Sequence, residues 1–202
     1  MRLLSILSLA LLVLCIAGGF PSSALAAGKV AKPLKHLEAM AEQARLKGDL
    51  SKEARRALKY ADRCFSDDGI WERAVDNRAS VNEIYEALSG AVICWQSAEN
   101  KFAKAGAGLE LPNRWVAARA RYIEAFRGYL WGIDAKMSGD RTQACRRLRT
   151  ATRQVGAANE AAAGLAEGFT VEEARKLALA TQQQSAEMGS IIATEFQNQK
   201  CE

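Results

Sequence analysis

The chain has 202 residues, with 28 lysines and arginines against 23 acidic residues and a formal net charge of +5. That length suffices for one domain with a real core, while so modest a charge, in a chain that reads as exported, argues against nucleic acid as a partner. A single histidine, His36, supplies no convergent ligand set, so neither a metal site nor any other cofactor is expected.

The first 27 residues read as an export signal. Arg2 carries the only charge, residues 3–16 are almost unbroken apolar sequence, and Gly18, Gly19 and Pro21 interrupt the run. Ala24-Leu25-Ala26 then offers small residues where a signal peptidase reads. The competing reading is a membrane anchor, but the apolar run is near the lower limit for crossing a bilayer. Cys15 follows Leu14 inside the run, which does not suit lipoprotein processing. The expectation is a cleaved signal over 1–27 and one domain over 28–202, periplasmic or secreted and not membrane-spanning. Cleavage leaves Cys64, Cys94, Cys145 and Cys201. Four cysteines in an oxidising compartment favour two disulfides, with three connectivities open. No Cys-x-x-Cys occurs, which disfavours redox catalysis.

Beyond the signal the chain is rich in strong helix formers, and only Pro33 and Pro112 remain. A first helix is predicted over 33–47, with Leu34, Leu37, Ala41 and Ala44 on one face. A second, over 51–65, turns Ala54, Ala57, Leu58, Ala61, Cys64 and Phe65 inward and ends at Asp67-Asp68-Gly69. A third runs over 70–104, with Val81, Tyr85, Leu88, Val92, Trp95 and Phe102 at alternating spacings of three and four, interrupted by Glu99. A fourth, over 113–137, carries Trp115, Tyr122, Phe126, Tyr129 and Ile133 on one stripe, a pattern that buries a helix face. A fifth begins at Asp140 with Gln143 three residues on, and turns Cys145, Leu148, Thr152, Val155, Ala162 and Leu165 inward. A sixth begins with Thr170 and Glu173, a second capping box. The fold class is therefore all-α: an antiparallel bundle of about six helices, four long core helices plus two short N-terminal ones.

These boundaries put Cys64, Cys145 and Cys201 toward one end of the bundle and Cys94 toward the other. On that layout either the third helix breaks near Ser89-Gly90 or Cys94 stays unpaired.

No catalytic signature stands out. There is no Gly-x-Ser-x-Gly, no Ser-x-x-Lys beyond the signal and no strand-flanked glycine loop for phosphate. Asp67 and Asp68 read as helix-start residues that stabilise the macrodipole. The most unusual feature is a run of basic residues: Arg114, Arg119, Arg121, Arg127, Lys136, Arg141, Arg146, Arg147, Arg149 and Arg153. Only Glu124, Asp134 and Asp140 oppose them between 113 and 159. Arginine suits bidentate contact with phosphate or carboxylate, and Arg146, Arg149 and Arg153 share a helical face. The bland alternative is internal pairing with Glu72, Asp76, Glu83 and Glu86.

The expected function is an exported, non-catalytic bundle that binds a protein partner or an anionic envelope component. Arg146, Arg149, Arg153 and Arg121 are the candidate contacts, and no catalytic residue is named. The alternative is an exported all-helical lyase or mutase, which would need a deep pocket enclosing several arginines and Glu124. Trp131 lies off the aromatic stripe and marks a contact surface if exposed. Thr181 and Ser185, in the polar middle of the sixth helix, either hydrogen-bond across the bundle or line a groove.

Overall fold

The computed structural model describes residues 34–46, 48–105 and 108–201, and all of their side chains except those of 34–37 and Ser66. Residues 1–27, read above as an export signal, and the His36 side chain lie outside the described residues. Within them the protein is all-helical: α1 Leu34–Arg45, α2 Lys52–Asp76, α3 Val81–Lys104, α4 Glu110–Met137, α5 Arg141–Ala162, a single turn α6 Leu165–Gly168, and α7 Glu172–Asn198. No described helix is long and apolar enough to cross a membrane.

The core forms around α4, which packs against α3, α5 and α7, while α2 lies on α3 and α1 bridges α2 and α7. The predicted aromatic stripe is core: Trp115, Tyr122, Phe126, Tyr129 and Ile133 are all buried. Contact between α4 and α5 depends on small residues. A Cβ on Gly132 would stand 3.0 Å from Leu148 Cγ, and one on Gly128 would stand 3.3 Å from Ala151 Cβ. Ala144, Leu148, Ala151, Val155, Ala158 and Ala162 form the buried face of α5. Thr152, expected inside, is exposed and folds its hydroxyl back onto the Leu148 carbonyl at 2.9 Å. Ala151 takes the interior position because only a small side chain fits beside Gly128.

The second helix does not stop at Asp67-Asp68-Gly69. It continues to Asp76, and the chain turns at 77–80, where Arg78 adopts φ +54°. Ser80 then opens α3 with a complete capping box: its hydroxyl accepts the Glu83 N–H at 3.3 Å, and Glu83 Oε2 accepts the Ser80 N–H at 2.8 Å. A glycine inside a helix costs only about 1 kcal/mol, so Gly69 alone does not break it. The shift of boundary resolves the cysteines. Cys64 and Cys94 are nearly equidistant from the turn at 77–80, and they form one disulfide with Cα atoms 5.4 Å apart. Cys145 and Cys201 form the second, joining the start of α5 to the end of α7. No break near Gly90 is needed, since α3 runs through it.

The start of α7 also differs from expectation. Its N-cap is Val171, without a side-chain cap. The amide oxygen of buried Gln43 on α1 instead accepts the N–H groups of Thr170 at 2.9 Å and Val171 at 3.0 Å. A long-range cap thus replaces the local Thr170–Glu173 box.

Candidate functional site

The basic run divides into two groups. Arg114 donates to the Ala161 and Ala163 carbonyls, and Arg141 to those of Gln199 and Lys200. Lys136 pairs with Glu195. Arg121 forks onto Glu99 at 2.8 and 3.1 Å, which explains why Glu99 interrupts the apolar stripe of α3. Arg121 therefore faces Glu99, apart from the other three candidate contacts. Arg119 is buried against Asp68. These five charges each have a partner within the protein, although Arg114, Lys136 and Arg141 remain exposed. Among the acidic partners expected on the third predicted helix, Glu72 takes part, 3.6 Å from Arg119.

Asp68 is the centre of that buried network. Its Oδ1 accepts both indole N–H groups of Trp71 and Trp95, at 3.2 and 2.9 Å. Its Oδ2 accepts Nε and Nη2 of Arg119, at 3.1 and 2.9 Å, while Arg119 Nη1 reaches Gln184 on α7 at 3.0 Å. Asp68 is 2% exposed and caps no helix end. Burial acts against the charge of Arg119, but Asp68 and Glu72 outweigh it, so its pKa is raised. Burial pushes the neighbouring Tyr122 hydroxyl up to about 12, against the pull of Arg119. Four donors occupy the Asp68 carboxylate, leaving it no lone pair to take a substrate proton. This cluster joins helices and is not equipped as a general base. Its sequence signal was an acid, Asp68, spaced helically from Trp71 within an uninterrupted helix, and it was hidden by reading Asp67-Asp68-Gly69 as a turn.

Trp115 Nε1 donates to Thr181 Oγ1 at 3.0 Å, so Thr181 hydrogen-bonds across the bundle. Ser185 is fully buried beside it.

The remaining arginines lie on the α4–α5 side. Arg146, Arg149 and Arg153 are exposed along one face of α5, and Arg146 also donates to Gln143 at 3.3 Å. Residues 146 to 153 span about 10 Å along the axis at helical rise. Next to them, half-buried Arg147 lies 3.0 Å from the centroid of the Trp131 ring. Trp131 meets Tyr85 edge-on at 5.4 Å, and the Arg127 guanidinium lies 6.0 Å from the Tyr85 ring. Among the described residues, Arg127, Arg146, Arg147 and Arg153 form no ion pair. Arg147 has its pKa lowered, first by burial and then by the positive charges of Arg146 and Arg127. Its Nε is buried without a hydrogen-bond partner.

Two hollows are described elsewhere. One is lined by residues including Ala44, Leu50, Ala54 and Leu109, the other by Tyr60, Arg63, Asp67, Gly90, Ile93 and Cys94. Neither includes the arginines of α5 or Glu124. No family model, curated protein or solved structure matches the chain.

Proposed function

We propose that this chain is an exported, non-catalytic helical bundle that binds an anionic partner, a protein or an envelope component, through the arginine face of α4 and α5. The observation that carries the reading is the division of the basic run. Arg114, Arg119, Arg121, Lys136 and Arg141 each bond to a group elsewhere in the fold, whereas Arg146 and Arg153 form no ion pair among the described residues and lie, with Arg149, along one exposed face of α5. A row of guanidinium groups on a rigid helix suits oxyanions, which it grips with paired donors. Two disulfides suit an oxidising compartment, and the apolar run at 3–16 suits export. The enzyme alternative draws no support from the two hollows, which lie away from these arginines.

Retention on a sulfated polysaccharide matrix tests the reading. Arg146→Glu with Arg149→Glu is expected to abolish retention at unchanged helical content. A charge-matched control, Lys52→Glu with Arg55→Glu on exposed α2 positions, is expected to keep most of it. Equal retention by the α5 variant, or equal loss in both, refutes a specific face.

A further inference from the structure

Beside the exposed row, α3, α4 and α5 bring together Tyr85, Arg127, Trp131 and Arg147. Arg127 and Trp131 are one turn apart on α4, so their side chains are neighbours. The rings of Tyr85 and Trp131 contact each other, and each carries a guanidinium group, that of Arg127 or Arg147. The close contact of Arg147 with Trp131 occupies the face of that guanidinium and leaves its Nη donors for an in-plane acceptor. It also fixes the side chain, so less rotamer freedom is lost when an acceptor arrives.

Two observations show that the cluster is incomplete by itself. Arg147 Nε is shielded from water yet has no acceptor, and a shielded donor without a partner is costly. The positive charges of Arg146 and Arg127 also act against that of Arg147, with no carboxylate among the groups that act on it. Buried Arg119, by contrast, has Asp68 and Glu72 beside it. Like charges gathered without a counter-charge are relieved by an anion. Three cations favour a dianion over a singly charged carboxylate, because the Coulomb gain scales with ligand charge.

We propose that Arg127 and Arg147, set on the Tyr85–Trp131 platform, together with Arg146, next to Arg147 on α5, form a binding site for a phosphate monoester. The proposal rests on the anionic-partner reading for the face concerned, but not on Arg149 or Arg153. The phosphate belongs either to a soluble ligand or to a lipid headgroup, and the same donors serve both.

The test follows the arginine Nε–Hε NMR signals of the oxidised protein during titration with inorganic phosphate at constant ionic strength. Saturable shifts of the Arg127 and Arg147 signals are expected, with chloride producing none. Arg147→Gln should weaken binding about tenfold or more, through loss of charge-assisted hydrogen bonds. Trp131→Leu should weaken it about three- to tenfold, through loss of the platform. Arg149→Glu with Arg153→Glu should retain saturable binding. A parallel arm uses vesicles containing phosphatidic acid, whose headgroup is a monoester. Binding there that Arg147→Gln abolishes assigns the phosphate to a lipid, whereas binding of free phosphate alone assigns it to a soluble ligand. Failure of both probes, or equal binding by Arg147→Gln, overturns the site. If matrix retention still depends on Arg146 and Arg149 in that case, the anionic-partner reading survives without this site. If phosphate binds but retention does not depend on the exposed row, the reverse holds.

Discussion

Asp68→Asn tests whether the buried charge network holds the bundle together. The substitution keeps Oδ1 as an acceptor for Trp71 and Trp95 but sets an NH2 group against the Nε and Nη2 donors of Arg119. The Arg119 side chain is 10% exposed and then keeps Glu72 at 3.6 Å, Gln184 at 3.0 Å and the Tyr122 ring at 5.4 Å. Removing one partner of a buried pair costs about 3–5 kcal/mol, because the other charge stays buried. Asp68→Leu should cost at least as much, since each indole N–H left unpaired adds about 1–3 kcal/mol. Replacing both partners by apolar groups is different. Asp68→Leu with Arg119→Met removes the desolvated charges together, so the double variant should lose less than the sum of the singles, by about 2 kcal/mol or more. The assay is urea unfolding under non-reducing conditions, followed by tryptophan fluorescence and far-ultraviolet circular dichroism. A loss under about 1 kcal/mol for Asp68→Asn, or an additive cycle, would show that the pair does not join these helices.

Three further outcomes are expected. Gly132→Val should destabilise by about 1–3 kcal/mol, as overpacked cores do, because even a Cβ there meets Leu148 at 3.0 Å. Gly156→Ala, with nothing within 4 Å of its Cβ, should stabilise by about 1 kcal/mol; a lowered midpoint for Gly156→Ala, or an unchanged one for Gly132→Val, in thermal unfolding would refute this. Serine replacement of either cysteine pair should cost about 4 kcal/mol by loop-closure entropy, for separations of 30 and 56 residues, and a negligible shift in urea midpoint would contradict it. Finally, Glu72 has its carboxyl pKa raised, chiefly by burial and against the pull of Arg119. The folded protein therefore holds that proton more tightly than the unfolded chain, and stability falls as pH rises from about 4.3 through the raised folded value. The side chain is 38% exposed, so screening keeps the effect small. Glu72→Gln should flatten that fall in a pH series of urea midpoints; an unchanged slope would exclude the group as its source.

What the sequence disclosed were features settled within one helix. The α4 stripe, the Asp140 cap of α5 and the inward face of α2 follow from periodicity and capping, and the structure has them. The errors came where a distant group overrules a local one. Asp67-Asp68-Gly69 has the composition of a turn, but Trp95 and Arg119 give Asp68 its partners inside the fold, and the helix runs on. Thr170 and Glu173 spell a capping box, yet Gln43, 127 residues away from Thr170, supplies the acceptor. The Ser80–Glu83 box was legible by the same rule that found Asp140, and it marks the true start of α3. With the turn at 77–80, Cys64 and Cys94 both lie near the middle of their helices and face each other, which the turn composition at 67–69 hides.

The arginines show the same limit in the candidate site. Composition marks the run at 113–159, but charge pattern alone cannot separate an arginine that meets a carboxylate from one that does not. That depends on which acids the packing brings near: Glu99 lies opposite Arg121, and Asp68 opposite Arg119. Helix α5 carries no acid between Arg141 and Asn159, and Arg127 and Arg147 rest on aromatic rings instead. An arginine needed only for stability gains most from a buried, hydrogen-bonded carboxylate, as Arg119 does. Stacking on a half-exposed ring contributes only about 0.5–1 kcal/mol and leaves like charges unrelieved. That contrast, between Arg119 on its carboxylates and Arg127 and Arg147 on aromatic rings, is what the proposed anion site rests on.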